Sequence, residues 1–238
     1  MNKFEYYQKL AENNDLASHE KVGRSIRQPE NNIFSDMLLK IKNLSKESIN
    51  VCDIGCGCSK PVLELIEHSE KQKQKLFLID GSPMLSHLPD NKTFIKKISG
   101  CFPNKDIIKQ IDEKMDVIII YSVFQYVFTD GNFIDFLDSA VELLKDGGEL
   151  FLGDIPNNSK LQRFLNSDFG CKFYQQYNNT KELPTINFSS FEKNVLDDST
   201  VIYILNRYRT MGYNVFILPQ NEELPFCYSR EDILIRKC

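Results

Sequence analysis

The sequence predicts an α/β fold: one domain built on a mostly parallel sheet, with helices on both faces and an insertion. Three observations predict it. Short apolar runs alternate with segments of helical spacing from about residue 49 to residue 155. Several of those runs are unbroken, as in DVIIIYS at 116–122, which suits strands buried on both faces. A turn of small residues, Gly55-Cys56-Gly57-Cys58-Ser59, joins the first run to a helix, and an acid, Asp80, ends the second run.

Each element has a local reason. FSDMLLKIKNL puts Phe34, Met37, Leu38, Ile41 and Leu44 on one helical face. INVCDI reads as the first strand, and Pro61 falls in the first turn of the next helix, where its missing N–H costs nothing. KLFLID (75–80), TFIKKI (93–98) and DVIIIYS read as further strands. FIDFLDSAVELLKDGG follows as a helix, with Gly147-Gly148 as its stop, and ELFLGDI (149–155) is the fifth strand. The alternation then fails. Residues 156 to about 195 read as a loop-rich insertion, with Phe169, Phe173, Tyr174, Tyr177, Phe188 and Phe191 among polar residues. STVIYILNRYRTMGY resumes as a helix, and NVFILPQ and REDILIRK close the chain as two strands. No internal repeat or linker divides the 238 residues, so a single domain is expected over 1–238.

Composition excludes whole classes. A net charge of −4 gives no electrostatic footprint for nucleic acid or an anionic membrane, and no apolar run approaches the roughly 20 residues of a membrane span. The start, MNKFEYYQKLAENN, is polar and acidic, unlike a secretory or transit peptide. Seven scattered cysteines, an odd number, favour free thiols in a reducing, cytoplasmic setting.

The glycine turn asks for a ligand. In a doubly wound sheet, ligands bind beyond the carboxyl ends of the strands where strand order reverses, and glycines there let backbone approach them. Asp53 precedes Gly55 by two residues, and Asp80 follows Gly57 by 80 − 57 = 23. An acid at that strand end can accept both hydroxyls of a ribose. That leaves NAD or S-adenosylmethionine. NAD brings a pyrophosphate and asks for a third glycine, where this chain has Lys60 and then Pro61. S-adenosylmethionine brings an ammonium, for which Asp53 offers a carboxylate.

Here the chain resembles the class I S-adenosylmethionine-dependent methyltransferases. DIGCGCS is similar to their D-x-G-x-G-x-G motif, with Ser59 at the third glycine. LIDGSPML, DVIIIYSVFQYV and LLKDGGELFLGDIP resemble the ribose-binding strand end, the fourth strand with its loop, and the fifth-strand block. The resemblance runs through about 48–156 and resumes in the final strand pair. It implies a doubly wound, mostly parallel seven-stranded sheet of order 3-2-1-4-5-7-6 with the last strand antiparallel. It further implies a helical cap at 1–47, a cofactor-binding core at 48–156, an insertion or lid at 157–195, and a final helix and strand pair at 196–238.

Carried over by position, the resemblance puts Asp53, Gly55, Cys56 and Gly57 at the methionine end of the cofactor. Asp80, Gly81, Ser82 and Met84 surround the ribose and adenine, and Gly100, Cys101 and Phe102 lie along the adenine edge. Tyr121 and Ser122 stand beside the sulfonium. KVGRSIRQPEN resembles a segment covering the site in small-molecule enzymes, so Arg24 or Arg27 is expected to meet a carboxylate or phosphate. The implied product is S-adenosylhomocysteine.

Methyl transfer needs alignment above all, and a base only when the acceptor arrives protonated. Asp154, His19 and Tyr126 are the candidates for handling the acceptor; His68 reads as a surface residue and His87 as a helix cap. No metal is expected, since Asp154 with Asn157 lacks a further hard ligand, and Cys52, Cys56 and Cys58 have no fourth partner for zinc. The motifs of DNA amino-methylation, cytosine C5 methylation and arginine methylation are all missing. The expected acceptor is therefore a small molecule, by analogy a sugar-linked or phosphorylated hydroxyl compound, with the aromatic insertion shaping its pocket. A homodimer is compatible with this reading. Three alternatives stay open on the sequence: a small-molecule N-methyltransferase, a non-catalytic S-adenosylmethionine-binding scaffold and, last, an NAD-dependent oxidoreductase, for which no Tyr-x-x-x-Lys pair stands out.

Overall fold

A computed structural model describes residues 1–24, 30–188 and 194–238. Seven strands form one sheet: β1 (Asn50–Ile54), β2 (Lys75–Asp80), β3 (Ile95–Ser99), β4 (Met115–Tyr121), β5 (Leu144–Pro156), β6 (Asn214–Leu218) and β7 (Arg230–Arg236). Their order is β3-β2-β1-β4-β5-β7-β6. The first five strands run parallel, and β7 is antiparallel to both β5 and β6. The implied topology is the observed one.

The unbroken apolar runs work as two-faced strands. Successive side chains point to opposite faces. Cys52, Phe77, Ile118 and Leu150 join one buried cluster, and their neighbours Val51, Leu76, Val117 and Phe151 join the other. Helices cover both faces. The N-terminal region supplies α1 (Lys3–Glu12), α2 (Ser18–Lys21) and α3 (Ile33–Lys40). Of the face read over 34–44, Met37, Ile41 and Leu44 are buried, together with Ile33, although α3 itself stops at Lys40. The crossovers are α4 (Lys60–Lys71), α5 (Ser82–Leu85), α6 (Lys105–Gln110), and α7 (Phe124–Asp130) with α8 (Phe133–Glu142). Pro61 opens α4 as expected.

Two expectations fail. The helix α8 ends at Glu142, before the glycines; Gly147, at φ 74°, turns the chain within the first part of β5. The insertion is not loop-rich: it folds as α9 (Asn158–Leu165) and α10 (Asp168–Asn178), before α11 (Asp198–Thr210). Asn157 and Ser167 accept backbone N–H bonds at the two N-termini, and Asn179, left-handed at φ 49°, ends α10. Phe169, Phe173 and Tyr177 are four apart, so they form one stripe along α10.

One irregularity positions the site. The β5–β7 register shifts between Leu152 and Ile155. At this bulge Asp154 takes φ 59°, and its N–H donates to Asp232 Oδ1 at 2.8 Å. Asp232 is fully buried and also accepts from Lys40 Nζ at 2.6 Å and Gln220 Nε2 at 2.8 Å. Bulges of this kind re-aim side chains beside active sites.

Candidate active site

Order reverses at β1, which pairs β2 on one side and β4 on the other. A cavity of about 390 Å3 opens at the carboxyl ends of these strands. That volume suits a small-molecule or cofactor site. The glycine turn forms its floor. Gly55 has φ 74°, and a Cβ there would meet Val123 Cγ2 at 2.5 Å; Gly57 has φ 64°, and its Cβ would meet Val22 Cγ1 at 2.8 Å. Neither position tolerates a side chain.

Asp53, next to last in β1, faces this cavity, 7% exposed. None of the described residues donates a hydrogen bond to its carboxyl group. Burial, with the negative charge of Asp80 added, pushes that carboxyl up to about 8. Asp80 is held differently. Its Oδ2 accepts from Gly57 N at 2.9 Å, and its Oδ1 from Gly81 N at 2.7 Å and Gln8 Nε2 at 3.2 Å. Burial still raises its proton affinity, against those three donors. The expectation that Asp80 offers both oxygens to a ligand therefore needs correction: Oδ1 is filled, and Gln8 occupies the approach.

Gln8 was not foreseen. It comes from α1, which roofs the cavity with Phe4 and Tyr7. Tyr7 Oη lies 2.6 Å from Tyr126 Oη, and Lys3 N donates to Asp130 Oδ2 at 2.7 Å, so α1 is tied to α7. Of the remaining predicted residues, Cys56, Met84, Gly100, Cys101, Phe102, Tyr121, Ser122, Tyr126 and Arg24 all line the cavity. Gly81 and Ser82 do not; Gly81 instead makes room for Gln8, whose Oε1 would lie 1.7 Å from a Cβ there. Phe102 also packs edge-on against Phe136 in the core. Arg27 lies outside the described residues.

Among the acceptor-side candidates, Tyr126 lines this cavity, and Asp154 lines a smaller one of about 110 Å3 beside it. Ser122 donates its hydroxyl to Asp154 Oδ2, and Arg24 Nη2 reaches Ser122 Oγ at 3.4 Å. Burial raises the Asp154 carboxyl above its ordinary value, opposed by Arg230, Ser122 and Arg24. His19 lines neither cavity; it sits on α2 and is removed from the candidates. His87 Nε2 is 2.8 Å from Ala11 O, and His68 Nε2 is 2.9 Å from Leu44 O, so both brace the cap, and His68 is half-buried rather than a surface residue. The insertion needs correction too: none of its described residues lines either cavity.

A seven-stranded sheet of order 3-2-1-4-5-7-6, closed over a glycine turn and two strand-end acids, is the fold of the class I S-adenosylmethionine-dependent methyltransferases. Solved structures of that class share it. N-methyltransferase NodS from Bradyrhizobium japonicum WM9, solved with S-adenosyl-L-homocysteine, is 16% identical with a TM-score of 0.60, covering 100% of this chain and 99% of that one. The methyltransferase domain of bacterial CtHen1-CN is 15% identical, TM-score 0.57, covering 88% and 100%. The CurJ carbon methyltransferase is 14% identical, TM-score 0.54, covering 99% and 68%. No family model and no curated protein sequence matches the chain.

Proposed function

We propose that this protein is an S-adenosylmethionine-dependent methyltransferase of a small molecule, acting on a sugar-linked or phosphorylated hydroxyl. The observation that carries the cofactor assignment is Asp53: a buried carboxyl facing the cavity with no donor among the described residues, where a cation is the missing partner. The ammonium of the methionine moiety supplies that cation. Gly55 and Gly57 leave backbone room beside it, and Asp80 with Gln8 faces the ribose, Gln8 Oε1 being buried without a partner among the described residues. The neighbour solved with S-adenosyl-L-homocysteine supports the same ligand.

S-adenosylmethionine brings an electrophilic methyl group on a sulfonium; the chain's residues supply alignment and proton handling. Tyr121, Ser122 and Tyr126 line both cavities, so they stand where a cofactor and an acceptor meet. A hydroxyl acceptor must lose its proton as it attacks. Asp154, its proton affinity raised by burial and already bonded to Ser122 Oγ, is the group to receive it. A net charge of −4 argues against a nucleic-acid acceptor. A second reading, transfer to an amine, draws support from the name of NodS, an N-methyltransferase.

A melting experiment tests the cofactor. S-adenosylhomocysteine at 100 times its dissociation constant adds about 2.7 kcal/mol. For a chain of this length that is a rise of roughly 5–10 °C in Tm. NAD should give none. A rise with NAD alone would defeat the proposal, and mass spectrometry of the labelled product separates oxygen from nitrogen as the acceptor atom.

A further inference from the structure

The smaller cavity lies beyond Tyr121, Ser122 and Tyr126, and its outer wall includes Phe226 and Arg230. Its polar groups are out of balance. Among the described residues, Arg230 Nε and Nη1 are buried and find no acceptor, and Gln125 Oε1 is buried and finds no donor. Arg230 Nε stands 3.6 Å from Asp154 Oδ1, close enough to feel its charge but not to form a hydrogen bond. Native proteins rarely leave buried donors unmatched unless water or a ligand takes them.

The backbone around this cavity is strained as well. Seven described non-glycine residues have positive φ, and three of them, Ser122 (58°), Asp154 (59°) and Phe226 (60°), line this one small space. Strain of that kind gathers at ligand clamps. The volume sets a limit on the occupant. At roughly 30 Å3 per water, 110 Å3 holds three or four waters, or one carboxylate or phosphoryl group.

Charge chooses among these. Arg24 is already satisfied by Glu30, its Nη1 donating to Oε1 at 2.5 Å. Of the two described arginines at this cavity, Arg230 is thus the one with buried donors, Nε and Nη1, left unpaired by the described residues, and its guanidinium lies 5.4 Å from the Phe226 ring centroid, against the wall. Asp154 is the one acid among the described lining residues, and its two oxygens already face the Ser122 hydroxyl and the Arg230 guanidinium.

We propose that this side cavity seats an anionic oxygen group of the methyl acceptor, a carboxylate or phosphoryl, on Arg230. The acceptor then reaches back past Asp154 and Ser122 toward the cofactor cavity. Gln125 Oε1 accepts from a hydroxyl of the same molecule. The identity of the ligand as a methyl acceptor rests on the methyltransferase reading; the binding of an anion here does not.

Calorimetric titration of the protein, with and without saturating S-adenosylhomocysteine, tests the site with inorganic phosphate and with acetate. Chloride at matched ionic strength is the control. Saturable binding of phosphate is expected for a phosphoryl seat, and of acetate alone for a carboxylate seat. Arg230→Gln should weaken that binding by about tenfold or more, the loss of a charge-assisted hydrogen bond, while its affinity for S-adenosylhomocysteine stays at the wild-type value. That retained affinity also shows the variant is folded; should it unfold, Arg230→Lys replaces it and should weaken the anion by a smaller factor. Wild-type protein that binds neither anion above chloride, or a folded variant that binds them as wild type does, overturns the proposal. Absence of S-adenosylhomocysteine binding would strike the methyltransferase reading instead, and the anion titration would still be read on its own.

Discussion

Asp53 has an ordinary carboxyl value of 3.8 that folding raises to about 8. Between those two values the folded chain binds more protons than the unfolded one, so this group erodes stability as pH rises from about 4 to about 8. A bound ammonium reverses the effect by favouring the carboxylate. Binding of S-adenosylhomocysteine near pH 7 should therefore release up to about one proton, visible as a calorimetric enthalpy that varies with the buffer's ionisation enthalpy. Asp53→Asn should abolish the release, flatten the stability loss between about pH 4 and 8, and weaken cofactor binding by about tenfold or more. A buffer-independent enthalpy in wild type would mean the cation sits elsewhere. Asp53, Gly55, Gly57 and Asp80 were legible because one strand–turn–helix unit and the next strand end fix them locally. Arg230 and Gln125 were not. Arg230 meets Asp154 only through the bulged antiparallel pairing of β5 and β7, a tertiary fact with no local spacing to betray it.

At the scale of elements, α1 was the least legible part of the site. Its start carries a full capping box between Asn2 and Glu5, and Phe4, Tyr7, Gln8 and Ala11 share one helical face. The resemblance implied a helical cap over 1–47, yet Gln8 interrupts this face with a polar group, so no local pattern named the residues that would roof the site. The polar group is there because the face covers Asp80 rather than a core. The insertion misled for the opposite reason: Asn and Ser read as loop formers, yet Asn157 and Ser167 are N-caps, and the four-residue spacing in α10 was a helical period. What holds α1 in place can be measured. The Tyr7–Tyr126 hydroxyl pair, 2.6 Å apart and half-buried, links it to α7. Tyr7→Phe and Tyr126→Phe should each cost about 1 kcal/mol in S-adenosylhomocysteine binding, and the double variant no more than either single one. Additive losses on calorimetry would show that the two hydroxyls act separately.

Over the whole molecule, stability is unevenly spread. The apolar clusters on the two faces of the sheet meet along β1, β2, β4 and β5, and the cofactor cavity opens at the ends of the first three. By contrast α9 has no buried residue, and α10 buries only Gly170; their aromatics pack on one another and on Tyr228, with Phe169, Phe173 and Tyr177 still exposed. Regions with so little buried apolar contact open locally, well below the free energy of global unfolding. A ligand slows exchange only where opening destroys its site. Saturating S-adenosylhomocysteine, at 100 times its dissociation constant, should therefore slow amide exchange in the central strands about a hundredfold. Amides of α9 and α10 should exchange at the same rate with and without it, whereas α1, which contributes Tyr7 and Gln8 to the roof, should slow along with the strands. Protection of α9 and α10 equal to that of β1 would mean that the insertion closes on the cofactor after all, and that the roof is not α1 alone.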